Sequence, residues 1–212
     1  MGSAQLICFT GVDGSGKSTH AKALFVYLKQ NGINCKYVWG ASRPLLAYAF
    51  FALTRVFGYW KRTKENTYTD PLEFAADRLA SKLAVLYRFL LFVDFQIRTT
   101  TKLRIPLILG KTVVCDRYFY DLLMDLERSD TLSNRFVSIL SRTLPRPLLV
   151  FLMDAPENLM QKRRGFRLEE LKIKRKIFLE MAKTYDFCVL DSSEDFWINQ
   201  KCVRLLALKH FV

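Results

Sequence analysis

The 212-residue chain predicts an α/β fold built on a parallel sheet with helices on both faces. Two features predict it. Five short, continuously apolar runs, the pattern of strands buried on both sides, alternate with longer segments of helical character. The first of these runs leads directly into a glycine-rich stretch and then into an amphipathic helix, the order of a strand–loop–helix unit.

The strands fall at 5–10, 34–39, 112–116, 148–154 and 187–191. The first helix spans 17–30 and ends at Asn31-Gly32. Helical segments 42–60 and 71–109 separate the second and third strands, with Pro106 expected to bend the longer one near its end. Further helices are expected at 118–128, 131–143, 156–164, 168–185 and 195–209. Ligands of such sheets sit beyond the carboxyl ends of the strands, which singles out 11–19, Ser42, Arg43, Asp116, Arg117 and Asp154. No composition shift marks a boundary, so 1–212 reads as a single domain, and the polar stretch 61–70 as a mobile surface loop.

Half of the residues are hydrophobic, a globular balance, and 17 phenylalanines require a core or cleft that accommodates many rings. The formal net charge of +13 implies an anionic partner or substrate. The basic residues are dispersed and form no recognition motif, so no nucleic acid is expected. Four of the five cysteines lie in strand-like runs and none forms a C-x-x-C pair. Reduced, buried thiols and a cytoplasmic location are therefore expected, rather than disulfides or zinc. No signal peptide fits ahead of the first strand. The apolar segment 45–60 is interrupted by Arg55 and is shorter than the roughly 20 residues a membrane span requires. No membrane contact is expected, although this segment leaves a surface or dimer contact open.

Gly11-Val12-Asp13-Gly14-Ser15-Gly16-Lys17-Ser18-Thr19 fits G-x-x-x-x-G-K-[ST] between a strand and a helix. Glycines allow the backbone to turn its N–H groups inward, and these groups together with the helix N-terminus form an anion nest. Lys17 adds a full charge near the β- and γ-phosphates of a bound nucleotide, and the Ser18 hydroxyl is a ligand for Mg²⁺. The pattern names ATP and Mg²⁺ as the expected cofactors.

Asp116-Arg117-Tyr118 ends the third strand. A carboxylate at that point can hold Mg²⁺, usually through water, and the neighbouring guanidinium can grip a phosphate with two hydrogen bonds. Arg43 follows the second strand on the same rim. The segment 161–170, Gln-Lys-Arg-Arg-Gly-Phe-Arg-Leu-Glu-Glu, gathers four cations around a glycine between two helices. It reads as a cationic lid that excludes water from a transferring phosphoryl group, with Arg163, Arg164 and Arg167 as candidates to reach the phosphates.

The phosphate loop with Asp13, the Asp-Arg-Tyr and the arginine cluster after Leu-Met-Asp-Ala-Pro-Glu together resemble the thymidylate kinase family. The resemblance implies a five-stranded nucleoside monophosphate kinase fold of strand order 2-3-1-4-5, Mg-ATP as phosphoryl donor, thymidine monophosphate as acceptor and, often in the family, a homodimer. It implies that Asp13 lies near the acceptor, that Arg43 and Arg117 contact its phosphate beside Tyr118, and that a phenylalanine, Phe92 or Phe74, stacks on its base. The sequence departs from the family at Gly40-Ala41-Ser42-Arg43-Pro44 and at 119–123, regions that shape the base and sugar pocket. A nucleoside or other small-molecule kinase, or a nucleotide-binding regulatory protein, are the alternatives.

Overall fold

The computed structural model describes residues 4–40, 45–57, 81–129, 139 and 141–210. They form two compact units, one comprising 1–41, 102–125 and 145–212, the other 42–101 and 126–144.

The first unit is built on five parallel strands: β1 (Leu6–Thr10), β2 (Cys35–Trp39), β3 (Thr112–Asp116), β4 (Leu149–Asp154) and β5 (Cys188–Asp191). Their order is β2-β3-β1-β4-β5, as expected from the resemblance. Every residue of β1 and β3 is buried, so both faces of the sheet centre are covered. This is why the sequence there lacks polar alternation. Helix α1 (Lys17–Gln30) packs on β1, β2 and β3. Phe9 and Phe151 stack in adjacent strands at 5.1 Å, while Leu24 and Leu28 of α1 are fully buried against the sheet. Each such ring or branched chain stabilises the fold by about 1.5–3 kcal/mol through burial.

In the second unit α2 (Leu45–Val56) packs against α3 (Ser81–Thr99), with Ala47 and Tyr87 buried between them. The Asp94 carboxylate, itself buried, accepts the Ala47 amide at 2.9 Å. It thereby satisfies one of the free donors at the start of α2 and complements the helix dipole. No helix among the described residues is long and apolar enough to cross a membrane.

α3 continues into a π turn (Thr100–Arg104) and then the short α4 (Ile105–Ile108). The bend expected at Pro106 is thus realised as a change of helix type just before it. Pro106 has no N–H to give the carbonyl of Lys102, and in the first turn of a new helix that missing donor costs nothing. The chain continues with α5 (Phe119–Ser129), whose first seven residues belong to the first unit, and the first unit is completed by α6 (Glu157–Arg164), α7 (Leu168–Thr184) and α8 (Phe196–Leu208). The expected helix at 131–143, the stretch 71–80 and the loop at 61–70 lie wholly or largely outside the described residues.

α1 and α8 are tied by a buried polar contact. Gln200 Nε2 stands 2.7 Å from His20 Nδ1 and donates to the His20 carbonyl at 3.2 Å. With the amide as donor, Nδ1 is the acceptor and the ring is neutral. Phe196 packs against the imidazole at 4.8 Å. Burial lowers the His20 pKa to about 4.

Two tests follow from this packing. A folded pKa below the unfolded value of about 6.5 means that the unfolded chain binds more protons between those limits. The His20 contribution is therefore complete above pH 6.5 and is lost as pH falls through 4. Urea unfolding of His20→Gln is expected to show a shallower loss of stability than the parent between pH 6.5 and 4. Gly40 provides the second test, since a Cβ there would lie 1.9 Å from the Arg117 carbonyl oxygen. Gly40→Ala is expected to cost about 1–3 kcal/mol by overpacking, read as a lower urea midpoint at unchanged slope.

Candidate functional site

The site begins where β1 turns into α1. Gly11 has a φ of 138°, and a Cβ on it would come within 2.5 Å of the Met153 carbonyl, so only glycine permits the loop to leave the sheet this close to β4. Gly14 and Gly16 are left-handed as well. The loop is closed by Ser15 N to Val12 O at 3.1 Å, and by Thr19 N and His20 N to Gly16 O at 3.0 and 3.2 Å. The amides of Gly16, Lys17 and Ser18 are not donors in these bonds. α1 has no side-chain cap and no acidic residue in its first turn. Its N-terminal donors and dipole thus face the cleft without an internal anion to neutralise them.

Three charged side chains converge beside this loop. The Asp13 carboxylate accepts from Lys17 Nζ at 3.3 Å and pairs through the same oxygen with Arg117 Nη2. Lys17 is almost wholly buried and also donates to the Val12 carbonyl at 3.1 Å. Burial, reinforced by the nearby Arg117 guanidinium, lowers the Lys17 pKa. Burial raises the Asp13 carboxyl, but Lys17 and Arg117 more than offset it, so its pKa lies below the ordinary carboxylate value.

Arg117 reaches Asp13 because its backbone is left-handed, with φ at 68°. That conformation is sterically unfavourable for a residue with a Cβ. It is held by Arg117 N to Phe9 O at 2.9 Å and by the Cys115 thiol donating to Arg117 O at 3.0 Å. Asp121, in the first turn of α5, stands on the other side of the guanidinium, with Oδ1 3.9 Å from Arg117 Nη1. Its Oδ2 accepts from Thr10 Oγ1 at 2.8 Å and from Tyr118 N at 3.2 Å, the backward reach of a capping box. Burial raises the Asp121 carboxyl despite the two cations.

An open cleft of about 370 Å³ lies over the loop. Arg117 and residues 13–20 line one part of it, and Arg163, Ser192, Glu194 and Phe196 the rest. Arg163, near the end of α6, donates to the Gly14 carbonyl at 2.9 Å. Among the lid candidates whose side chains are described, Arg163 is therefore the one in contact with the glycine-rich loop. Arg167 is exposed at the start of α7 and does not line the cleft. Arg164 belongs to α6, but its side chain lies outside the described ones. Helices α6 and α7 are anchored by Arg175 of α7. It binds both Asp154 oxygens at 2.7 Å and Glu157 Oε1 at 3.1 Å, tying the end of β4 to the start of α6.

The expected metal ligands differ in exposure. Ser18 lines the cleft. Asp116 is buried: its Oδ2 accepts from the Tyr37 hydroxyl at 2.7 Å, and its Oδ1 has no hydrogen-bond partner. An orphaned buried carboxylate oxygen and a hydroxyl are hard donors that suit Mg²⁺. Among the described residues no cluster of three or more His, Cys, Asp or Glu could hold a metal.

Asp13, Lys17 and Arg117 are thus brought together, with Gly14, Ser15, Gly16, Ser18 and Thr19 lining the same cleft. Tyr118 turns into the core, where its hydroxyl donates to the Pro145 carbonyl and its ring meets Tyr120. Phe92 is half-buried on α3 of the second unit. Arg43 and Phe74 lie outside the described residues. Sequence reasoning missed Tyr37, Asp121, His20 and the stretch after β5. The rule that ligands gather at the carboxyl ends of strands pointed to Ser192–Phe196 as much as to the other rims. Tyr37 and Asp121 became visible only through their partners.

No protein-family model matches the chain. Curated relatives do resemble it over most of its length. It is 24% identical over 200 residues to the thymidylate kinase of Plasmodium falciparum, covering 94% of this chain and 83% of that protein. A "probable thymidylate kinase" of Sulfurisphaera tokodaii is 27% identical over 215 residues, covering 95% of each chain. A protein of the same name from Methanocaldococcus jannaschii is 26% identical over 200 residues, covering 89% of this chain and 87% of that one. The chain is therefore similar, over most of its length, to proteins named thymidylate kinase.

Proposed function

We propose that the chain is a nucleoside monophosphate kinase that moves the terminal phosphoryl group of ATP onto an acceptor phosphate, with thymidine monophosphate as the acceptor and the diphosphate as product. The observation that carries this reading is the Asp13 carboxylate joining Lys17, the cation of the phosphate loop, to Arg117, a cation from the end of β3. Two phosphate-binding cations held at one carboxylate are what transfer between two phosphates requires. The relatives' names supply the acceptor.

In this reading the loop amides and Lys17 bind the β- and γ-phosphates of ATP, and Arg117 binds the acceptor phosphate. An acceptor oxygen attacks the γ-phosphorus, and the bond to the β–γ bridging oxygen breaks, leaving its electron pair on ADP. The acceptor's second pKa is about 6, so it is a dianion at neutral pH and needs no protein base. The work falls to positioning and charge neutralisation. Ser18 and Asp116 would hold Mg²⁺, which supplies charge neutralisation at the phosphate oxygens when bound. Arg163, carried by the lid at 161–170, adds a cation from across the cleft, with Arg164 and Arg167 beside it in the chain. Roles for Arg43, Phe74 and Phe92 at the acceptor, and a homodimer, are carried by the resemblance alone. The whole chain is read as one kinase domain, in keeping with its similarity to the relatives over most of its length. Five free cysteines fit a reducing compartment such as the cytoplasm.

Transfer to a hydroxyl acceptor needs a carboxylate base. Of the two carboxylates that line the cleft, Asp13 is held below its ordinary pKa by Lys17 and Arg117 and is a poor proton acceptor, so such a reaction would have to use Glu194.

An ATP-consumption screen over nucleoside monophosphates, nucleosides and sugar phosphates tests the reading, with thymidine monophosphate expected to give the highest kcat/KM. Turnover of nucleosides but not of their monophosphates would overturn it. Lys17→Ala is expected to lower kcat at least about 10²–10³-fold with the thermal transition retained. Arg117→Ala is expected to act mainly on acceptor KM, and Arg163→Ala on kcat.

A further inference from the structure

Tyr37 lies on β2, the edge strand, and has no part in the site as read from the motifs. Its hydroxyl nevertheless donates to Asp116 Oδ2 at 2.7 Å, across 79 residues of chain. The sheet register explains how. Trp39 is the cross-strand partner of Asp116, so Tyr37, two residues earlier, projects from the same face of the sheet. A phenol is long enough to span that offset. The ring is backed on the helix side by Phe25 of α1 at 6.1 Å.

Asp116 is held on three sides. Gly40 N donates to its carbonyl at 2.8 Å, and the following amide, Arg117 N, donates to Phe9 O at 2.9 Å. With the backbone pinned between β1 and β2, the carboxylate retains rotation about its side-chain bonds only. Tyr37 removes that rotation by occupying one oxygen, which leaves Oδ1 as a buried acceptor with no protein donor. Leaving such an oxygen without a partner is unfavourable. A purely structural tie between β2 and β3 has no need of it.

We propose that Tyr37 is a positioning residue for magnesium: by holding Asp116 Oδ2 it orients the carboxylate and reserves Oδ1 as the oxygen offered to the ion. The proposal rests on the reading of Asp116 as a metal ligand and adds the group that aims it.

Calorimetric titration of ATP into the full chain, in EDTA and over a series of MgCl₂ concentrations, separates this role from a structural one. Tyr37→Phe keeps the ring against Phe25 and removes only the donor. It is expected to bind ATP in EDTA as the parent does, while the Mg²⁺ concentration that gives half of the affinity gain rises roughly 10-fold. Asp116→Asn is expected to shift that midpoint at least as far, and the double variant no further than Asp116→Asn alone. An unchanged midpoint in Tyr37→Phe beside a shifted one in Asp116→Asn would make Tyr37 a structural tie and overturn the proposal. Additive shifts in the double variant would overturn it as well. An unchanged midpoint in Asp116→Asn would remove the underlying assignment of the ligand, and the proposal with it.

Discussion

The carboxyl end of β3 is held between its two neighbours, and the site depends on that hold. β1 accepts the Arg117 amide through Phe9 O, while β2 reaches Asp116 through the Gly40 amide and the Tyr37 hydroxyl. Between these ties Arg117 is forced into a left-handed turn that an unconstrained arginine would avoid. The turn sends the guanidinium toward the phosphate loop and leaves the preceding carboxylate buried beneath it. Gly40 is part of the same device, since no side chain fits where the Arg117 carbonyl lies. Local strain is thus sustained by hydrogen bonds from the rigid sheet.

Charge is arranged around this turn in alternation. Lys17 and Arg117 are cations, and Asp13 and Asp121 are the anions that separate and flank them. The two carboxyls respond oppositely, Asp13 below its ordinary pKa and Asp121 above it. Two contacting cations offset burial at the first, whereas burial dominates at the second. Asp13 can therefore serve as a permanent anion that fixes both cations. Asp121 secures the first turn of α5 through Thr10 and the Tyr118 amide. A cluster of this kind is preorganised for phosphate, because the cations are already in place and little solvent must be rearranged.

Helices α6 and α7 rest on equally rigid support. Asp154 ends β4 and is bound on both oxygens by Arg175, which also takes Glu157, while the Asp154 carbonyl accepts from Ser192 N and Oγ. One residue at a strand end thereby organises the start of α6, the flank of α7 and the turn after β5. The connection between the lid helices needs only Gly165, left-handed at the end of α6. Rigid bases with a short connector between them place Arg163 at the Gly14 carbonyl.

Much of the fold was legible in the chain because parallel strands buried on both faces are apolar throughout. All five appeared within a residue of where they were expected, and α1 fell at 17–30 as read. The turn from β1 into α1 was equally legible, since its glycines are dictated locally by the left-handed backbone the turn requires. Pro106 announced an interruption but not its form, because a π turn depends on how the preceding helix yields. The partners of Asp116, Asp121 and Arg175 were hidden, since each comes from a strand or helix distant in sequence and is chosen by register and burial. The sequence by itself determined the strands, the loop and the identity of the charges. Only the tertiary structure decided that Arg163 meets the loop, that the Asp116 carboxylate is bound by a tyrosine and that Arg117 bears the strain. Those outcomes are set by distances across the sheet, to which no local pattern responds.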